Sequence, residues 1–279
     1  MNTTPPGLPN PAVTPPRPTL VLLHASAASA RQWDALAESL KSRFDVQALD
    51  LHGHGKRPAP DHGQPLRVLD DVALARAVLE RSGGGHVIGH SYGAAVAVHL
   101  AAAAPGLVHS LAVYEPVVFR LLADHARGSP GASEAFELAT GVWEHVRQSR
   151  LIEAAALFVD YWSGPGTWHA MPPERQQAVA ARMPLIDQQF LALMQEPLPA
   201  SVLARLRMPL LCLHGTRSTL AARQMATLLQ TLLPQGRHEA LEDLGHMAPV
   251  TQALGVNHRL IRFLNVELRS WHAPVGFAA

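Results

Sequence analysis

Gly89-His90-Ser91-Tyr92-Gly93 stands between two segments of opposite character. Before it, His86-Val87-Ile88 reads as a short apolar strand. After it, Ala94 to Leu100 leads into an alanine tract that reads as a helix and stops at Pro105-Gly106. A serine in a tight strand-to-helix turn needs small neighbours, because its own backbone is strained and the strand and helix pass close together. Gly89 and Gly93 supply that room. The turn also sets Ser91 at a helix N-terminus, where unpaired N–H groups and the helix dipole favour a developing negative charge. Three fixed residues in five arise often by chance. The strand before and the helix after are the context that makes Ser91 a candidate nucleophile.

Outward from this turn, strands and helices alternate. Leu20 to Leu23 and Leu210 to Leu213 are continuous apolar runs, as expected of strands buried on both faces of a parallel sheet. Phe44 to Leu49, Leu111 to Tyr114 and Arg237 to Leu241 read as further strands. Trp33 to Leu40, Leu66 to Arg81, Thr219 to Leu233 and Pro249 to Leu268 read as helices. Ser82 to Gly85 is a helix stop; without a following Gly-Lys-Ser/Thr its glycines make no phosphate-binding loop. From Pro116 to Met208 the alternation ceases, and Ala132 to Arg147, Arg150 to Trp162 and Pro173 to Ala192 read as helices. The expected fold class is α/β: a doubly wound, mostly parallel sheet over 19–115 and 209–270, interrupted by a helical insertion over 116–208. Residues 1–18, dense in proline, are expected to be a flexible lead-in, and 271–279 a tail.

The 279 residues, 48% hydrophobic and 16% charged, suffice for one sizeable core with an insertion. A formal net charge of +1 gives no reason to expect nucleic acid or an anionic membrane as partner. No run approaches the roughly 20 apolar residues of a membrane span. Arg17 and the apolar residues after it faintly imitate a secretion signal, but the run is short and His24 interrupts it. Cys212, the single cysteine, excludes an intramolecular disulfide and is expected to be a buried, inert thiol. His52 and His54 invite a metal reading, but a zinc site needs three or four ligands and no companion cluster follows. The expectations are therefore a small-molecule substrate, no metal or other cofactor, a reduced cytoplasmic setting, and a monomer or homodimer.

The serine turn and its flanking landmarks resemble the α/β-hydrolase superfamily, from Leu20 to about Leu268. His24-Ala25-Ser26 stands where that family usually reads His-Gly-x. The resemblance thus implies the N–H groups of Ser26 and Tyr92 as oxyanion donors, with Ala25 in place of the usual glycine and His24 as a prop for the loop. Asp50 to Gly55 matches a structural turn of the family, Asp-x-x-Gly-x-Gly. His246, in Leu244-Gly245-His246, stands in the position of the catalytic histidine. With little chain before Leu20, the sheet is expected to be shortened at its N-terminal side. The helices of 116–208 resemble the cap that many of these hydrolases carry. Its aromatic residues Phe119, Phe158, Tyr161, Trp162 and Trp168, together with Met247, are expected to line an apolar pocket, and Trp143 belongs to the same insertion.

The family's usual aspartate follows the strand that here ends near His214, where this chain has Thr216-Arg217-Ser218-Thr219 and no carboxylate. That leaves a dead hydrolase, a Ser–His dyad, or an acid from elsewhere. Some branches of the superfamily place the acid after the preceding core strand, and Glu115 stands there, next to Pro116. Ser91, Glu115 and His246 all fall at carboxyl ends of strands and follow the family's order; Asp243 is a lesser candidate. The expected function is a serine hydrolase of the carboxylesterase type, cleaving a small or medium apolar ester through an acyl-enzyme. The same residues could cleave a lactone, a thioester or a carbon–carbon bond, or carry out perhydrolysis without a cofactor. In a different class stands a low-turnover ligand-binding protein on the same fold.

Overall fold

Once buried, apolar runs can satisfy their backbone N–H and C=O groups only by pairing with one another. A computed structural model describes residues 17–60 and 63–271, with side chains to residue 267. In it six strands pair side by side: β1 (Thr19–Leu23), β2 (Asp45–Leu49), β3 (Gly85–His90), β4 (Val108–Tyr114), β5 (Leu210–Gly215) and β6 (Arg237–Leu241). Their order is β2-β1-β3-β4-β5-β6, and every ladder is parallel. Among the described residues no strand precedes β1. The proline-dense lead-in, apart from Arg17 and Pro18, and the tail after Trp271 lie outside the described residues.

The strands alternate between two apolar layers. Val21, Leu23, Val87, Leu111 and Val113 face a layer that includes α2 (Val68–Ser82) and α3 (Tyr92–Ala103). Leu20, Leu22, Ile88, Ala112, Leu211 and Leu213 face the opposite layer, formed with α1 (Asp34–Leu40) and the long last helix. Helices on both faces explain why these strands read as unbroken hydrophobic runs. The chain winds one way from β1 to β2, then returns past β1 to β3, so the sheet's direction reverses between β1 and β3. In such sheets the crevice outside the carboxyl ends at that reversal is the binding position. The loops that leave β1 and β3 there are the ones carrying Ser26 and Ser91.

Between β4 and β5 the described chain is helical: α4 (Phe119–His125), α5 (Pro130–Arg147), α6 (Leu151–Ser163), α7 (Thr167–Ala170), α8 (Pro173–Ala180), α9 (Met183–Gln195) and α10 (Ala200–Leu203). The single helix expected from Pro173 to Ala192 is two, broken at Ala181-Arg182. Pro184 lacks an N–H and is tolerated only in a first turn, so a new helix starts just before it. After β5 come α11 (Leu220–Leu232), α12 (Ala248–Thr251) and α13 (Ala253–Trp271); the expected closing helix is interrupted at Gln252. Among the described residues no helix is long and apolar enough to cross a membrane.

Candidate active site

Ser91 has φ 55° and ψ −117°, a backbone conformation that disfavours any residue with a Cβ. Its neighbours make that strain inescapable. A Cβ on Gly89 would lie 2.5 Å from the Gly93 carbonyl oxygen, and one on Gly93 would lie 2.5 Å from that of His24. The strand, the helix and the β1 loop therefore meet without intervening side chains, and Ser91 stands at the carboxyl end of the central strand β3.

Ser91, His246 and Glu115 come together there although 155 and 131 residues separate the paired positions. The Ser91 hydroxyl donates to His246 Nε2 at 2.9 Å. His246 Nδ1–H donates to Glu115 Oε2 at 2.7 Å. All three are buried. The other carboxylate oxygen, Oε1, accepts the Gly215 N–H at 2.7 Å and the Ser218 hydroxyl. Glu115 thus leaves β4 at φ 45° and leans onto the loop after β5, the loop that lacks a carboxylate of its own. Asp243 is not in this group: it is exposed and pairs with Arg217 at 2.8 Å.

The β1 loop is held by neutral histidines whose tautomers follow from their partners. His24 Nε2 accepts the Leu51 N–H at 3.0 Å, so its Nδ1–H donates to the Ala25 carbonyl. Burial, then the nearby His54 ring, lowers the His24 pKa to about 4. His54 accepts the Ala27 N–H through Nε2 and donates from Nδ1 to the His52 carbonyl; His52 donates to the buried Asp71. Both histidines of the 50–55 segment are thereby engaged in turn geometry. Among the described residues, neither the Ser26 N–H nor the Tyr92 N–H donates to a backbone carbonyl of a turn, loop or cap.

A cavity of about 160 Å³ opens onto Ser91 and His246. Phe119, Phe158, Trp162 and Met247 line it, with Phe190 and Leu193 from α9. Tyr161 and Trp168 do not. On α6, Phe158 and Trp162 are four residues apart and share a face, whereas Tyr161 is turned about 100° away. Its hydroxyl donates to Glu134 at 2.7 Å beside a second, wider cavity of about 980 Å³. Trp168, buried on α7, lines neither cavity, and its backbone N–H donates to the Asp160 carboxylate at 2.7 Å. Trp143 is half exposed and carries the Arg147 guanidinium over its ring. Trp162 lies against the His246 ring, centroids 4.0 Å apart, and both residues border the two cavities.

A family model described as alpha/beta hydrolase fold matches residues 18–253. The chain belongs to the α/β-hydrolase family. It is 36% identical over 145 residues to lipase LipV of Mycobacterium tuberculosis, a match covering 47% of this chain and 54% of LipV. It therefore spans about half the length of that relative. To the putative carbamate hydrolase RutD of Pseudomonas savastanoi pv. phaseolicola it is 26% identical over 266 residues, 90% of this chain and 95% of the relative. Among solved structures, an alpha/beta hydrolase from Sphaerobacter thermophilus superposes with a TM-score of 0.66 at 25% identity, covering 89% of this chain and 93% of that one.

Several contacts of this α/β-hydrolase site were not visible in the sequence reading. His90 Nε2–H donates to the His246 carbonyl at 2.9 Å, and its Nδ1 accepts from the Gln32 amide at 3.1 Å. Gln32 Oε1 in turn accepts the Ala25 N–H, so one chain of bonds ties the β1 loop to the His246 loop. Burial, and then the nearby His246 ring, holds the His90 pKa well below the usual histidine value, which keeps Nδ1 free to accept. The Tyr114 hydroxyl hooks the same loop through the Gly245 carbonyl at 2.8 Å. The Tyr92 hydroxyl donates to Asp71 at 2.9 Å, drawing that side chain beneath the turn. His90 adjoins the motif serine, and its place there was the one available signal. Among the described residues no group of three or more His, Cys, Asp or Glu could hold a metal ion.

Proposed function

We propose that this hydrolase cleaves small carboxylic esters by acyl transfer, with Ser91 as nucleophile, His246 as base and Glu115 as the acid that holds the base. The observation that carries the reading is the unbroken line of hydrogen bonds Ser91–His246–Glu115 ending in an apolar cavity. A serine hydroxyl attacks only when a base removes its proton, and a base serves only in the correct tautomer. Glu115 accepts from Nδ1, which leaves the Nε2 lone pair for the Ser91 proton. Attack on the ester carbonyl would place the oxyanion near the helix N-terminus, where the N–H groups of Tyr92 and Ser26 receive it. His246 then returns its proton to the leaving alkoxide, and water releases the acid by the same steps in reverse roles.

The cavity sets a scale for the substrate. An apolar cavity of about 150 Å³ holds one benzene-sized molecule, so about 160 Å³ suits an acyl group of about six non-hydrogen atoms. The name of LipV supports an ester as substrate, and that of RutD a carbamate, which the same machinery would attack. The missing aspartate after β5 favours a low-turnover binding protein; the Glu115 carboxylate, which leaves β4 and leans onto that loop, supports turnover instead. The test is hydrolysis of p-nitrophenyl esters of graded chain length, with labelling by a fluorophosphonate. The wild type should be labelled within minutes, and Ser91→Ala should lose labelling and lower hydrolysis by a factor on the order of 10³ or more. A wild type that is neither labelled nor active on any ester would refute the proposal.

A further inference from the structure

We infer that the second, wider cavity receives the alcohol side of the substrate, so that the preferred ester joins a small acid to a bulky hydrocarbon or aromatic alcohol. The inference rests on the ester-hydrolase reading and deepens it by assigning the two sides of the ester to two cavities.

The cavities meet along a seam of Trp162, Ser163, Met171, Arg175, Met247 and Val250, together with His246. Ser91 and Ser26 border only the first cavity, whereas His246 borders both. In the tetrahedral intermediate the oxyanion takes the N–H groups of Ser26 and Tyr92, which keeps the reacting carbon on the side of the first cavity. The leaving oxygen must instead meet His246 Nε2, which returns the proton to it. The alcohol chain beyond that oxygen therefore starts at the imidazole. The cavity that borders the imidazole without bordering the serine is the second. The acyl chain is left to the first, where the Ser26 hydroxyl donates to Gln189 Oε1 at 2.7 Å and holds α9 against the β1 loop. That contact limits the room on the acyl side.

Size and chemistry agree with this division. The second cavity, at about 980 Å³, has about six times the volume of the first, at about 160 Å³. Leu220 and Val250 on its lining are 38% and 44% exposed, so a long alcohol can extend to solvent there. Tyr161, Trp162, Pro165 and Ala248 supply aromatic and aliphatic wall, with the rings of Tyr161 and Trp162 at 4.7 Å between centroids. The polar side chains beside them are mostly engaged already. The Tyr161 hydroxyl donates to Glu134, the Ser218 hydroxyl to Glu115 and the Thr251 hydroxyl to the Met247 carbonyl, while Arg217 pairs with Asp243. Asp160 accepts the backbone N–H of Trp168. Arg175 and Gln252 are exposed, so polar contacts belong to the cavity's open edge. What is left for the body of the alcohol is apolar surface, which hydrocarbon fills best.

The experiment compares two isomers, 3-phenylpropyl acetate and methyl 4-phenylbutanoate, which carry the same atoms and differ in the side of the carbonyl that bears the ring. Each kcat/KM is divided by the rate of hydroxide hydrolysis. The wild type should favour 3-phenylpropyl acetate by about tenfold or more. Leu220 borders the second cavity alone. Leu220→Trp should therefore lower kcat/KM for 3-phenylpropyl acetate by about fivefold or more and leave ethyl acetate within about twofold. Equal turnover of the isomers, or a preference for methyl 4-phenylbutanoate, overturns the inference. So does a Leu220→Trp variant that keeps its turnover of 3-phenylpropyl acetate, or that slows ethyl acetate just as much. Should Leu220→Trp not fold, the wild-type ratio alone decides. If no ester turns over, the ester-hydrolase reading fails separately, and calorimetry with 3-phenylpropan-1-ol then decides the cavity. An alcohol that does not bind, or that binds Leu220→Trp as tightly as the wild type, overturns the assignment.

Discussion

Replacing Glu115 by glutamine would leave the shape of the side chain and invert one hydrogen bond. Two donors, the Gly215 N–H and the Ser218 hydroxyl, converge on Oε1 and would select the amide oxygen for that position. The amide nitrogen would then face His246 Nδ1 and force the imidazole proton onto Nε2, where Ser91 needs an acceptor. Glu115→Gln should lower kcat by about 10⁴, the effect of the wrong tautomer in a related triad, with an unchanged melting temperature. Near-wild-type turnover would remove Glu115 from the mechanism. Ser91 and His246 were legible because each sits in a local motif with a strand before it. Glu115 was legible for a weaker reason, a carboxylate at the end of an apolar strand beside Pro116. Gln189 and Gln32 gave no signal at all. Their partners lie 163 and 58 residues away, and neither residue falls in a motif or breaks an apolar pattern.

The strand–turn–helix unit of β3 and α3 tolerates no added methyl group. In Gly89→Ala the new carbon would stand 2.5 Å from the Gly93 carbonyl oxygen and 2.6 Å from the Ala94 Cα. Both are backbone atoms with no rotamer to take up the strain. The expected loss is about 2 kcal/mol or more of stability, seen as a lower urea midpoint with unchanged slope, and a midpoint equal to wild type would contradict it. At this scale the sequence was read well where one signal dominated. The five apolar or alternating runs and the motif strand all became strands, because runs so short and apolar have no other way to satisfy their backbone. The reading went wrong where two signals conflicted. From Pro173 to Ala192 the apolar spacing continued through Met183-Pro184, and the proline, which required a fresh helix start, was passed over. Which aromatic of α6 faces the cavity beside Ser91 depends on helical phase, which sets Phe158 and Trp162 there and Tyr161 on the second cavity.

Across the whole molecule, burial of neutral histidines ties stability to pH. Burial holds His24, His86 and His99 at a pKa of about 4, and His90 well below the usual value. In the unfolded chain each returns to about 6.5. Between these values the unfolded state binds more protons, so stability is full above about pH 6.5 and falls as the pH drops towards 4. The three held near 4 by themselves give a slope of up to about 4 kcal/mol per pH unit near pH 5 and His90 adds to it, large beside a typical total of about 5–15 kcal/mol. Unfolding free energies from urea titrations at pH 7, 6 and 5 should decline in that order; a flat or rising series would contradict these burials. The broad plan was open to sequence reading because strand alternation and a helical interruption span many residues and average out local error. The volume and shape of the two cavities were not, since they depend on how α6 and α9 pack over the sheet.

The indole of Trp162 rests on the ring of His246, with centroids 4.0 Å apart and planes inclined by 32°. A positively charged imidazole drains the excited state of an indole in contact with it far more than an uncharged one does. The protein therefore carries its own fluorescent gauge of the base. With the other four tryptophans exchanged for phenylalanine, the brightness of this one reports the charge on the imidazole directly, in the resting protein and without any turnover.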